Sequence, residues 1–250
     1  MALLSLLLLA ALLQNLSHSA RVNVGIVNGK EVVPHSRPYM VSVQEYRRHI
    51  CGGFFVSNKY VMTSAHCYDR KQSIRVLTVV VGAHDLLNSR EGSRMNVQSC
   101  HVYPNFNAQT LDNDIMLIKL RGTVIQSQTV NWIPIPLTTE EGIPVNMGCS
   151  VVGWGKTGQN NPPSARLLET QTQIIDRTMC INNWHRRPIT QSMVCARGPA
   201  TCKFDSGGPL VCGGTAVGIV SFGEVPCDYS RKPNVYAKIS AFLPWIRSFI

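Results

Sequence analysis

Thr201-Cys202-Lys203-Phe204-Asp205-Ser206-Gly207-Gly208-Pro209-Leu210-Val211-Cys212 sets a serine between an acid and two glycines, with a cysteine near each end. An unactivated hydroxyl is a poor nucleophile, so Ser206 has meaning only if a base and an acid accompany it. Two other stretches offer them. Thr63-Ser64-Ala65-His66-Cys67 carries a histidine beside a cysteine, and Asp112-Asn113-Asp114-Ile115-Met116-Leu117 carries an acid that leads into an apolar run. Imidazole exchanges protons near neutral pH and suits the base. A buried carboxylate behind it would fix its tautomer and orientation. Asp112 in the same stretch reads as a turn residue. The order His66, Asp114, Ser206 is one of three in which this chemistry recurs on unrelated chains.

Working outward, the chain breaks into short runs rich in Val, Ile and aromatics, bounded by Gly, Pro, Asn and Asp. Strands are expected at Tyr39–Gln44, Gly53–Val56, Tyr60–Ser64, Thr78–Gly82, Ile115–Leu120, Cys149–Val152, Pro209–Cys212, Val217–Ser221 and Asn234–Lys238. That pattern predicts an all-β sandwich or barrel. One helix is expected, from Ser240 to Ile250, with Ala241, Phe242, Trp245, Ile246 and Phe249 on its buried face.

At 250 residues the chain fits one domain or two halves sharing a cleft. The run from Ala2 to Leu13 is apolar but too short to span a bilayer. With Ser17, Ser19 and Ala20 behind it, it reads as a secretory signal peptide over residues 1–19, cut after Ser19 or Ala20. Residues 20–25 then form a short propeptide. A secreted or granule-stored protein is expected. Nine cysteines in an exported chain imply disulfides. The net charge of +10 suits an acidic partner, or simply a basic secreted protein. Lys and Arg are scattered, with doublets such as Arg47-Arg48 and Arg186-Arg187, so no specific nucleic acid is expected. No Asn-x-Ser/Thr sequon follows Ile26. Histidines 18, 35, 49, 84, 101 and 185 read as structural.

On the three motifs and their order, the chain from Ile26 onward resembles the chymotrypsin-fold serine proteases, most nearly their granzyme and mast-cell-protease branch. The resemblance implies two six-stranded antiparallel β-barrels with a C-terminal helix, divided near residues 125–135, within one protease domain over 26–250. It implies that His66, Asp114 and Ser206 are catalytic and that the backbone N–H groups of Phe204 and Ser206 bind the oxyanion. Phe204 stands where the family has glycine. A Cβ penalises the backbone conformation needed there, so a modified oxyanion hole is expected.

The resemblance also implies activation by a cut before Ile26, whose amine would pair with Asp205. Gly25 precedes that cut, not Arg or Lys, which argues against activation by a trypsin-like enzyme. The implied disulfides are Cys51–Cys67, Cys149–Cys212, Cys180–Cys195 and Cys202–Cys227. Cys100 is left over, as a buried thiol or an intermolecular bridge. Ser221, Phe222 and Gly223 would pair with the substrate backbone. Ala200, Gly223, Asn234 and Tyr236 would form an uncharged primary pocket. Gly82–Leu86 resembles the calcium-free version of its loop, so no metal or cofactor is implied, and Gly153-Trp154-Gly155 reads as structural. Peptide substrates, acidic proteoglycan and serine protease inhibitors are the expected partners. The alternative is a catalytically weak or inactive homologue that acts as a basic antimicrobial or heparin-binding protein.

Overall fold

In the valine-rich strands alternate side chains point to opposite faces, and closing the strands into a ring buries the inward row. A computed structural model describes residues 26–250 except 28, 69–72, 89, 91, 141, 200 and 228–230. The expected signal peptide (1–19), the expected propeptide (20–25) and Ala200 lie outside the described residues.

In the first half, β2 (Met40–Glu45), β3 (Arg48–Phe55), β4 (Tyr60–Thr63), β5 (Leu77–Val81), β6 (Ser93–Val102) and β7 (Met116–Leu120) form a closed barrel. Its ring order is β2-β3-β4-β7-β6-β5, and every pairing is antiparallel. In the second half, β8 (Gly148–Gly153), β9 (Leu168–Ile174), β10 (Met193–Arg197), β11 (Pro209–Cys212), β12 (Thr215–Phe222) and β13 (Asn234–Lys238) run in the order β9-β10-β13-β12-β11-β8. Pairing of β8 with β9 closes this second ring, and β1 (Lys30–Glu31) adds to the outside of β9. Two antiparallel six-stranded barrels result.

The run Ile115-Met116-Leu117-Ile118 is apolar at every position because both of its faces are buried. Met116 and Ile118 fill the first barrel with Val41, Val43, Val79 and Val81. Ile115 and Leu117 point the other way, into a cluster with Phe54 and Met62 that also takes Ala216, Ile219, Ala237 and Phe242 from the second half. That shared cluster joins the barrels. The connecting segment joins them too: Ile133 N–H bonds Phe55 O, while Ala216 N–H bonds Pro134 O.

Strand boundaries shift by a few residues, and four strands were not anticipated: β1, β6, β9 and β10. The tail differs from the expectation of one helix over Ser240–Ile250. It begins as a 3-10 turn, Ile239–Phe242, and continues as α2 (Leu243–Ile246) with Pro244 at its start, so only a short helix forms. Phe242, Leu243 and Ile246 are buried, but Ala241 is exposed. A further helix, α1 (Arg177–Asn183), was also unanticipated; Asp176 caps it by accepting from Thr178 and Met179 N–H. Among the described residues, no helix is long and apolar enough to cross a membrane.

Candidate active site

His66 sits on a one-turn 3-10 helix, Ala65–Cys67, directly after β4. A disulfide from Cys67 to Cys51 in β3 ties that turn to the barrel. Asp114 lies two residues before the start of β7 and is buried. Its Oδ1 accepts from the His66 backbone N–H at 3.0 Å, and its Oδ2 lies 2.7 Å from His66 Nδ1. Two contacts on one histidine fix both its position and the orientation of its ring. Ser221 of β12 donates to the same Oδ2 at 2.5 Å, so the second barrel also holds the acid. Asp112, read as a turn residue, accepts from Asn113 N–H and from the hydroxyls of Thr190 and Ser192.

Ser206 lies on the loop before β11. Gly52 N–H bonds its carbonyl at 2.9 Å, which fastens the loop to the first barrel. Among the described residues, no hydrogen bond joins Ser206 Oγ to His66. Such contacts are often long in unliganded sites and tighten with substrate. The backbone N–H groups of Phe204 and Ser206 have no acceptor among the described residues. They are the two donors that a developing oxyanion would need.

Phe204 adopts φ +77°, a conformation that ordinarily selects glycine. The peptides on either side of it are nevertheless held. Lys156 N–H bonds Lys203 O at 2.9 Å, and His49 Nε2 donates to Phe204 O at 3.0 Å. His49 Nδ1 then accepts from Ser42 Oγ at 2.8 Å, which fixes a neutral tautomer, and burial pushes the imidazole down to about 4. His49 therefore does more than fill space. It holds the loop that carries Ser206, and neither its spacing nor its neighbours in sequence gave a sign of this.

Asp205 is fully buried. Its carboxylate accepts from Gly155 N–H at 2.8 Å and Cys202 N–H at 3.0 Å. Burial pushes its pKa up to about 7, against the pull of those two bonds. A Cβ built on Gly155 would overlap the carboxylate, so Gly153-Trp154-Gly155 makes room for Asp205 as well as packing the core. Ile26 is fully buried.

A cavity of about 180 Å³ opens beside Ser206, lined among others by Lys203, Ser221, Phe222, Gly223 and Glu224. Asn234 stands behind Gly223: its Oδ1 lies 2.8 Å from where a Cβ on Gly223 would sit, and it accepts from Thr201 Oγ1. Tyr236 is farther in, within the core of the second barrel; neither it nor Asn234 is among the residues that line the cavity directly. The disulfide Cys202–Cys227 closes one wall, and Cys149–Cys212 and Cys180–Cys195 brace the same barrel. Cys100, on β6, is free and half-buried, and burial raises its thiol to about 12. Cys51, His66 and Cys67 are close enough together to suggest a metal site. The two sulfurs are bonded to each other, so no thiolate is on offer.

The family model for trypsin matches residues 26–246. The chain belongs to the trypsin family. It is 38% identical to granzyme M of Rattus norvegicus over 98% of this chain and 96% of the relative. It is also 38% identical to mast cell protease 3 of Ovis aries, over 96% and 94%. Among solved structures, neuropsin, a serine protease of mouse brain, superposes with a TM-score of 0.80 at 33% identity, covering 89% of this chain and 99% of its own. These relatives place the chain among the serine proteases, in keeping with a granzyme and mast-cell-protease-like branch.

Proposed function

We propose that this chain is a secreted or granule-stored serine endopeptidase that hydrolyses peptide bonds through an acyl-enzyme on Ser206. The observation that carries the reading is the double contact of Asp114 with His66, together with a Ser206 whose own N–H and that of Phe204 have no acceptor among the described residues.

In this reading Ser206 Oγ attacks the substrate carbonyl carbon as His66 Nε2 takes the hydroxyl proton. The imidazolium that forms is stabilised by Asp114 Oδ2, 2.7 Å from its other nitrogen. The carbonyl π pair moves to oxygen, where the N–H groups of Phe204 and Ser206 receive it. Collapse of the adduct breaks the C–N bond, and His66 returns the proton to the leaving amine. Water then repeats the sequence and frees the acid. Ser221 to Gly223 pairs with the peptide backbone, as edge strands do in peptide recognition. The pocket behind Gly223, narrowed by Asn234, takes an uncharged side chain such as Leu or Met or a polar one.

The cut before Ile26 acts as the switch. Asp205 is a buried carboxylate with two backbone donors and no counter-charge among the described residues, and the freed amine would supply one. The basic surface suits storage with acidic proteoglycan, and protein inhibitors of serine proteases would bind the same cleft. The test is to produce the chain from Ile26 and screen it against a mixed peptide library, with Ser206→Ala as control. Cleavage that vanishes in the control supports the enzyme. A chain that neither cleaves nor is labelled by a serine-directed phosphonate is a binding homologue instead.

A further inference from the structure

Beside the cleft, the aromatic face of Phe222 is covered. Arg187 lies over it, its guanidinium carbon 3.9 Å from the ring centroid, while Trp184 meets the ring edge-on at 5.3 Å. The stack is built in. Trp184 Nε1 donates to Pro233 O at 3.0 Å, the Arg187 backbone N–H to Trp184 O at 2.7 Å, and Arg187 Nε to Thr110 O at 3.3 Å. Arg187 thus spans from the loop before Asp114 to the strand that ends at Phe222.

An apolar substrate side chain cannot reach the ring face under the guanidinium without moving Arg187. A carboxylate can use Arg187 where it stands. The two terminal nitrogens of the guanidinium have no acceptor among the described residues, although the group is half-buried and its burial disfavours the charge. The acid that favours the charge, Asp114, already accepts from His66 and Ser221. Glu224, on the cavity wall, accepts from Arg231 and Lys232 N–H and pairs with Lys232. A planar fork with free donors in a partly dry setting matches a carboxylate in two-point geometry.

An extended peptide alternates its side chains. With the residue before the scissile bond facing the primary pocket, the second and fourth residues before it face the other way, toward Phe222. We propose that Arg187 makes this platform a carboxylate-recognising subsite, so that peptides with Asp or Glu at the second or fourth residue before the scissile bond are the preferred substrates. The inference rests on the endopeptidase reading above.

The test uses the chain from Ile26, with active sites counted by phosphonate labelling, on peptide pairs that differ only by Glu or Gln at each of the two positions. The Glu peptide should be favoured about tenfold in kcat/KM at one of them, the size expected of a hydrogen bond to a charged group. That ratio should shrink between about 0.05 and 0.5 M salt, since the pair would be part-exposed. In Arg187→Gln the ratio should fall to near one, and in Arg187→Glu it should invert toward Lys-bearing peptides. Arg187→Lys, which keeps the charge without the fork, should retain only part of it. Equal turnover of Glu and Gln peptides by the unmodified enzyme, or an undiminished preference in Arg187→Gln, overturns the subsite. If no peptide is cut and Ser206 is not labelled, the endopeptidase reading has failed first. A labelled, active but indifferent enzyme removes only the subsite.

Discussion

Two buried aspartates face each other across the functions of this molecule, and they are satisfied differently. Asp114, at the rim of the first barrel, receives the His66 backbone N–H, the His66 ring and the Ser221 hydroxyl. Asp205, in the second, receives two backbone N–H groups among the described residues, and burial drives its pKa up to about 7. One carboxylate is finished by its own surroundings, and the other lacks a counter-charge. A buried ion loses far more from a missing partner than it gains as half of a pair, so the second is suited to be a switch and the first to be a fixture.

Changing each acid to its amide separates the roles. Asp114→Asn should cost about 10⁴ in kcat, because the amide cannot hold the same tautomer of His66. The protein should remain folded by circular dichroism, and a smaller loss would mean that Asp114 is not the orienting acid. Asp205→Asn should cost about 10²–10³, the range for a lost oxyanion donor, because it disturbs the loop and leaves His66 untouched. Uncut wild-type chain should match that variant. Equal turnover by precursor and cut forms would sink the switch.

The contrast has a pH signature as well. With residues still attached before Ile26, the folded chain keeps a proton on Asp205 up to about pH 7, whereas the unfolded chain releases it near 4. The folded state therefore holds more protons in that window, and stability should fall as pH rises through it, by at most about 4 kcal/mol. In the cut form the proposed pairing with the Ile26 amine would favour the ionised carboxylate, so stability should instead be lost toward acid. Urea midpoints of Ser206→Ala protein, cut and uncut, across pH 4 to 7 would show the two slopes; parallel slopes would refute the pairing.

The smallest effect is expected at Phe204. Glycine there should relieve about 1 kcal/mol of backbone strain. It should change kcat by less than about threefold, since Lys156 and His49 already hold the adjoining peptides. A large gain in activity would mean that the oxyanion hole is not formed in the native enzyme.

Much of this arrangement was legible because it is encoded locally. The three site stretches are short, and Val79–Val81 and Ile115–Ile118 are continuous apolar runs. β6 was not legible: along Ser93–Val102 most side chains are exposed or only half-buried, and neither face shows an apolar alternation. α1 is too short for periodicity to show, and only Asp176 marks its start. His49 escaped notice because its partners, Ser42 and Phe204 O, are brought to it by the fold. The same is true of Arg187, whose neighbours in sequence say nothing of Phe222.

The space around Asp205 also limits how this region can vary. Positions 153 and 155 can carry no side chain while 205 carries a carboxylate, and a smaller residue at 205 would leave polar N–H groups facing a void. The three positions are thus open to change only together, and a lineage that abandoned the switch would be expected to lose the glycines as well as the acid. All three are intact here.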